Sequence, residues 1–201
     1  MNKHVFIAGD SYTEASELEL SQSYVSKLTT KFPHEKYVVD FTCISTSGIT
    51  SSDLLDSVKL KLNSQITHFN PQLFIWQCGT NDCRYLGPND ESLLKSIVDQ
   101  FFNNLLSIQS NYSASSIYIA PPLLFTESHY AAQFNPGLLI LRQYLLEMFL
   151  PTNPLLEIID LNLLVKQDKS LFVDQIHLNA RAHALIADCL SEKIKLMLDN
   201  H

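Results

Sequence analysis

Two kinds of hydrophobic pattern alternate along the whole length of this chain. Short apolar runs of strand length are separated by longer stretches whose apolar residues recur at helical spacing. Such alternation specifies βαβ units, and therefore a parallel sheet covered by helices on both faces. Five runs qualify as strands: Lys3–Gly9, Tyr37–Cys43, Gln72–Cys78, Ser116–Ala120 and Leu156–Asp160, each short and rich in Val, Ile, Phe or Tyr. Between them Leu54, Leu55, Val58 and Leu62 share one helical face, as do Leu93, Leu94, Ile97, Val98, Phe101, Phe102 and Leu105. Pro136 is expected to open a further helix running to about Phe149, because proline favours a first helical position. Leu178, Ala182, Leu185, Ile186, Cys189 and Leu190 give the last helix its apolar stripe. With 201 residues, 46% of them hydrophobic, and with no repeat or low-complexity linker, residues 1–201 are expected to form one domain around one core.

Charge and cysteine usage narrow the function classes. The net charge is -7 and Lys and Arg are scattered singly, so there is no basic stripe for nucleic acid and no polybasic patch for a membrane surface. The most apolar later stretch, Leu138–Leu150, is interrupted by Arg142, Gln143 and Glu147, which a membrane span of about 20 residues would not tolerate cheaply. The first residues carry only the short apolar run Val5–Gly9 before Asp10, unlike a signal peptide, so a cytoplasmic location is expected. Cys43, Cys78, Cys83 and Cys189 lack the C-x-x-C pairs of a zinc site and are too few for a disulfide scaffold. They read as buried free thiols, three of them in or beside apolar runs, although Cys78 and Cys83 could approach each other around a loop. No G-x-G-x-x-G follows the first strand and no G-x-x-x-x-G-K-[ST] occurs, so the phosphate cradle of a nucleotide-binding protein is missing. Neither a metal nor a cofactor is expected, and nothing in the sequence assigns an oligomeric state.

In a doubly wound sheet, function gathers in the loops that leave the carboxyl ends of the strands. Three of the five glycines, Gly9, Gly48 and Gly79, lie at or shortly after expected strand ends, where tight turns are needed. The first of these loops, Gly9-Asp10-Ser11-Tyr12-Thr13, places a serine hydroxyl just beyond a strand. Alone it would be an ordinary turn or helix cap. A nucleophilic serine also needs a base, a carboxylate to orient that base, and donors for the developing oxyanion. Asp174-Gln175-Ile176-His177, just before the last helix, supplies an acid and an imidazole three residues apart. Asp174 would hold one ring nitrogen of His177 and leave the other to take the proton of Ser11. Both residues could instead serve as caps, but no such spacing beside a strand-to-helix loop accompanies His4, His34, His68, His129 or His183. Donors are available in Ser47-Gly48-Ile49-Thr50, through the Gly48 N–H, and in Gly79-Thr80-Asn81-Asp82, through the Asn81 amide. The alternative for the second loop is a turn with Asn81 or Asp82 capping.

On these four blocks, carried by Ser11, Gly48, Asn81 and His177, the chain resembles the SGNH subgroup of GDSL esterases and lipases over nearly its whole length. The resemblance implies an α/β fold: a flavodoxin-like three-layer α/β/α sandwich with a five-stranded parallel sheet. It further implies a metal-free acyl-enzyme mechanism, with an oxyanion hole made by the Ser11 and Gly48 backbone amides and the Asn81 side chain, and Asp174 as the acid of the triad. Cys43 stands where many members carry Asn, Leu178 where Pro often follows the histidine, and Ala182 where Gly is usual. None of these departures removes a catalytic group, and they leave subfamily and substrate open. The expected activity is hydrolysis of a small-molecule acyl ester. An acyltransferase that excludes water and passes the acyl group to a sugar or other alcohol would use the same triad, and a non-catalytic binding protein is disfavoured by the missing phosphate cradle. The long connection Leu123–Pro136, holding Phe125, His129, Tyr130 and Phe134, is expected to shape the pocket, the alternative being that these aromatics only pack on the surface. Tyr12, Phe125 and Tyr130 are the candidate substrate contacts.

Overall fold

The computed structural model describes residues 2–32, 38–64, 70–84, 90–145, 147 and 156–199. Strands form where the apolar runs fall: β1 (Asn2–Gly9), β2 (Val38–Ser45), β3 (Leu73–Gln77), β4 (Ser115–Ala120) and β5 (Leu156–Asp160). Every pairing is parallel and the order is β2-β1-β3-β4-β5, the flavodoxin-type doubly wound arrangement. All residues of β3 and β4 are buried, which is why these runs are continuously apolar rather than alternating. The edge strands β2 and β5 retain partly exposed positions. β2 runs two residues past its expected end at Cys43, because Ile44 and Ser45 pair with Ala8 and Gly9 of β1. Tyr37, expected to begin it, lies outside the described residues.

The helices are α1 (Ser11–Glu14), α2 (Tyr24–Lys31), α3 (Ser51–Ser64), α4 (Thr80–Cys83), α5 (Glu91–Tyr112), α6 (Ala131–Tyr144), α7 (Leu161–Val165) and α8 (Ala180–Asp199). α2 packs on α8, while α5 packs against α3 and α6. Right-handed crossovers place these two groups on opposite faces of the sheet. Phe101 and Phe102 of α5 meet the sheet edge-on, with ring centroids 6.0 Å from Trp76 and 5.1 Å from Tyr118 respectively. The stripe Leu54, Leu55, Val58 and Leu62 is buried on α3, as are Leu94, Val98, Phe101, Phe102 and Leu105 on α5. Leu93 and Leu185, expected in the stripes of α5 and α8, are instead 52% and 38% exposed. Each directly adjoins a core residue in sequence, and one step along a helix turns the side chain by about 100°. Leu178 precedes α8 and bridges to Phe172. All four cysteines are free, with Cys78 and Cys83 buried and Cys43 exposed. Among the described residues no helix is long and apolar enough to cross a membrane.

α6 departs most from expectation. It begins at Ala131, and Pro136 sits inside it rather than at its start. Pro136 has no N–H, so the Ala132 carbonyl lacks its helical donor. Tertiary contacts offset that loss. The Asn135 side chain bridges the backbone N–H and C=O of Leu124 at 2.9 and 3.0 Å, and Gly137 lies so near α4 that a Cβ there would come within 2.9 Å of Cys83 Cβ. The expected end at Phe149 lies outside the described residues.

Gly79 sets the approach of α4 to β4 and α6. Its φ is +110°, and a Cβ would stand 2.8 Å from Leu141 Cδ2 and 3.1 Å from the Tyr118 hydroxyl. Gly79→Ala is therefore expected to lower stability by about 2–4 kcal/mol, from the left-handed backbone and the overpacking together. Chemical denaturation measures this, and a variant within about 0.5 kcal/mol of wild type would contradict it.

Candidate active site

The mount for Ser11 is built by its neighbours. A Cβ on Gly9 would fall 1.9 Å from Thr13 Oγ1 and 3.0 Å from the Gln77 carbonyl, so only glycine lets the chain turn from β1 straight into α1. The Asp10 N–H donates to the Gln77 carbonyl at 3.0 Å. Its carboxylate caps α1 by accepting from the Tyr12 N–H at 3.0 Å. Ser11 is the first helical residue, a position whose N–H has no acceptor within the helix. Beneath it, the Thr13 hydroxyl donates to Gln77 Oε1 at 3.1 Å and pairs with the Tyr24 hydroxyl at 2.8 Å. Burial pushes the Asp10 carboxyl up to about 7, with the Tyr12 amide pulling the other way.

His177 is held by a closed loop. The Val173 N–H donates to the His177 carbonyl and the Asn179 N–H to the Leu171 carbonyl, each at 2.9 Å. At the tip, Asp174 Oδ1 accepts from the N–H groups of Ile176 at 2.7 Å and His177 at 2.6 Å, while Oδ2 lies 2.7 Å from His177 Nδ1. The D-x-x-H spacing is thus an Asx-type turn that also delivers the carboxylate to the ring. Burial pushes the Asp174 carboxyl up, but the His177 ring and the two amides outweigh it and hold the group below its ordinary value. With Nδ1–H donating to this carboxylate, Nε2 is the nitrogen left to accept a proton. The loop is tied from outside as well. The Tyr12 hydroxyl donates to the Ile176 carbonyl at 3.0 Å, and the Ser128 hydroxyl donates to the Gln175 carbonyl at 2.7 Å.

Ser11 and His177 line one open cleft of about 400 Å³, together with Gly48, Asn81, Thr80 and Tyr130. It sits over the carboxyl ends of β1, β2 and β3, at the point where the strand order reverses. Gly48 has φ +77° with nothing within 4 Å of a would-be Cβ, so backbone conformation rather than crowding calls for glycine there. Asn81 Nδ2 donates to the Ile49 carbonyl at 3.0 Å. One amide hydrogen is thereby fixed on the Gly48 loop, and Asn81 itself lines the cleft. Asp82 takes the capping role: it accepts from the Ser51 N–H at 3.0 Å and the Ser51 hydroxyl at 2.8 Å, at the start of α3.

The candidate substrate contacts divide. Tyr130 is on the cleft wall and 40% exposed, whereas Tyr12 and Phe125 are each 1% exposed. Tyr12 backs the His177 ring edge-on at 6.3 Å, and Phe125 packs against Phe172 at 5.1 Å. Burial of these two large rings places both behind the wall, where they support it. The Leu123–Pro136 connection is also shorter than expected, since its second part belongs to α6. Cleft residues that the sequence reading did not single out include Ser16, Glu17, Thr80, Arg84 and Ile176. Glu17 stands out because its Oε1 is 3.4 Å from His177 Nδ1; an acid six residues past Ser11 was the available signal. His183 lies outside the cleft lining. Its Nδ1 accepts from the Tyr24 N–H at 3.1 Å and its ring stacks on Tyr24, and burial pushes it down to about 4. Among the described residues no cluster of three or more His, Cys, Asp or Glu is placed to hold a metal ion.

Three solved structures show the same fold at low identity. A psychrotrophic esterase, EstA, from Pseudoalteromonas sp., solved inhibited by monoethylphosphonate, aligns with a TM-score of 0.67 and 20% identity, covering 98% of this chain and 99% of that one. A carbohydrate acetylesterase family member from Sinorhizobium meliloti aligns with a TM-score of 0.68 and 17% identity, covering 98% and 99%. A member of the lipolytic protein G-D-S-L family from Veillonella parvula aligns with a TM-score of 0.65 and 16% identity, covering 93% and 94%. No curated protein matches the chain. The family described as GDSL-like Lipase/Acylhydrolase matches residues 5–190, nearly the whole sheet and its loops. The chain belongs to the GDSL-like lipase/acylhydrolase family and is a hydrolase acting on ester bonds.

Proposed function

We propose that the chain hydrolyses small-molecule acyl esters through an acyl-enzyme on Ser11, with His177 as base, Asp174 as its orienting acid, and the Ser11 N–H, Gly48 N–H and Asn81 amide as the oxyanion hole. The observation that carries the reading is the 2.7 Å contact of His177 Nδ1 with Asp174, made in the cleft that Ser11, Gly48 and Asn81 also line. Ser11 Oγ attacks the ester carbonyl carbon as its proton passes to His177 Nε2. The negative oxygen that forms accepts hydrogen bonds from the three donors. Collapse breaks the bond to the alcohol oxygen, which leaves with the proton from His177. Water then attacks the acyl-Ser11 ester by the same route, returning the acid product and free Ser11. No step needs a metal or cofactor.

Tyr130, Phe134 and Ile176 form the apolar part of the cleft, beside Ser16, Ser47, Thr80 and Arg84. A cleft of about 400 Å³ with this mixed lining suits a short acyl group on a polar alcohol, in keeping with the carbohydrate acetylesterase neighbour. A p-nitrophenyl ester series from two to about sixteen carbons tests this, with kcat/KM expected to be highest at the short end and to fall as the chain outgrows the cleft. A maximum at the long end would overturn the short-acyl reading. Product analysis with an added alcohol acceptor tests hydrolysis itself: ester transfer dominating over hydrolysis would favour the acyltransferase. The four free thiols suit a reducing compartment, and we place the activity in the cytoplasm, to be checked by fractionation of the source cells.

A further inference from the structure

We propose that Glu17 is a second carboxylate partner of His177, a positioning residue that shares Nδ1 with Asp174 and steadies the ring as it becomes positively charged. The inference rests on the reading of His177 as the base. Asp174 Oδ2 is 2.7 Å from Nδ1 and Glu17 Oε1 is 3.4 Å from the same atom. A single N–H makes its strong bond to the nearer acid, so at 3.4 Å Glu17 acts through its charge and as an alternative acceptor after a small ring rotation. The Glu17 side chain is 27% exposed against 46% for Asp174, so its field reaches the ring through less water. Because the imidazolium exists only after proton transfer, a carboxylate beside it favours the transition state over the ground state.

The fold places this acid deliberately close. α1 ends at Glu14 and is capped by Ala15, whose backbone is left-handed with φ 52° and ψ 43°. The Leu18 N–H then donates to the Ala15 carbonyl at 3.0 Å, turning residues 16 and 17 back towards the cleft. The Ser16 hydroxyl donates to Glu17 Oε1 at 3.1 Å. Glu14, the other acid of this segment, is engaged elsewhere, accepting from the Ser47 N–H at 2.5 Å. Among the described residues, the charged and titratable groups around the ring are therefore Asp174 from its own loop, Glu17 from the turn after α1, Tyr12 against its edge and Arg84 on the same cleft.

Kinetics of Glu17→Gln, Asp174→Asn and the double variant of the full chain, across pH and at low and high salt, test the proposal. Glu17→Gln is expected to keep the wild-type melting temperature and lower kcat by about 3–10-fold with KM little changed. It is expected to move the acid limb of the kcat/KM profile to lower pH, an effect that shrinks in high salt. In the Asp174→Asn background, where Glu17 is the remaining carboxylate, the same substitution should cost more than it does in wild type. An acid limb that stays in place, whatever the fall in rate, would overturn the proposal. Titration of the His177 ring by NMR separates this from failure of the hydrolase reading. If no ester is cleaved, a ring midpoint lower in Glu17→Gln than in wild type still supports the pairing, and identical midpoints overturn it.

Discussion

Ser11→Ala is expected to fold as wild type does and to lower kcat for ester hydrolysis by a factor on the order of 10⁴–10⁶. The substitution removes one oxygen from a side chain that is 7% exposed. It leaves intact the Asp10 cap on Tyr12 and the Thr13 bonds to Gln77 and Tyr24. The mount therefore survives without the nucleophile. What remains is the stabilisation that the oxyanion donors and the cleft give to attack by water, which accounts for a residual rate above the uncatalysed one. Steady-state turnover of p-nitrophenyl acetate measured beside circular dichroism checks both halves of the expectation. A folded Ser11→Ala retaining more than about 1% of wild-type kcat would contradict it.

Asp174→Asn is expected to lower kcat by a factor on the order of 10³–10⁴ while changing KM little. The Asn oxygen can still accept from the Ile176 and His177 N–H groups, which Asp174 Oδ1 does at 2.7 and 2.6 Å, so the loop keeps its shape. The amide nitrogen, however, now faces Nδ1 with a hydrogen of its own. The ring must turn Nδ1 into an acceptor, which puts its proton on Nε2, where the base must be empty. Under the proposed pairing Glu17, at 3.4 Å from the same nitrogen, keeps some of the productive tautomer populated. A loss smaller than about tenfold would mean that the 2.7 Å contact does not set the tautomer.

Both substitutions act on blocks that local sequence made visible, and the reason is physical. The burial of β3 and β4 on both faces requires continuous apolar runs, and the crevice at the strand-order reversal requires glycine turns at Gly9, Gly48 and Gly79. These demands are local, so they are written into short stretches of chain. Element boundaries were less visible where distant partners set them. β2 extends to Ser45 because β1 offers Gly9 as a partner, and α6 begins ahead of Pro136 because Asn135 and Gly137 find contacts on Leu124 and Cys83. Leu93 and Leu185 carry the right apolar character one helical step from the core and face solvent. Within the site, residues defined by a turn were legible, whereas those defined by which walls meet were not. Tyr12 and Phe125 have the chemistry of substrate contacts and are sealed behind the cleft. Glu17 reaches it from the turn after α1, and Thr80 and Arg84 from the two ends of α4, only because these separate segments converge there.

Whether Ser11 carries the acyl group is read by covalent trapping. Wild-type protein treated with a fluorophosphonate, digested and mapped by mass spectrometry is expected to carry a single adduct on the peptide containing Ser11, at Ser11 itself, with activity lost in proportion to labelling. An adduct on a different residue, or full inactivation without any adduct at Ser11, would contradict the account.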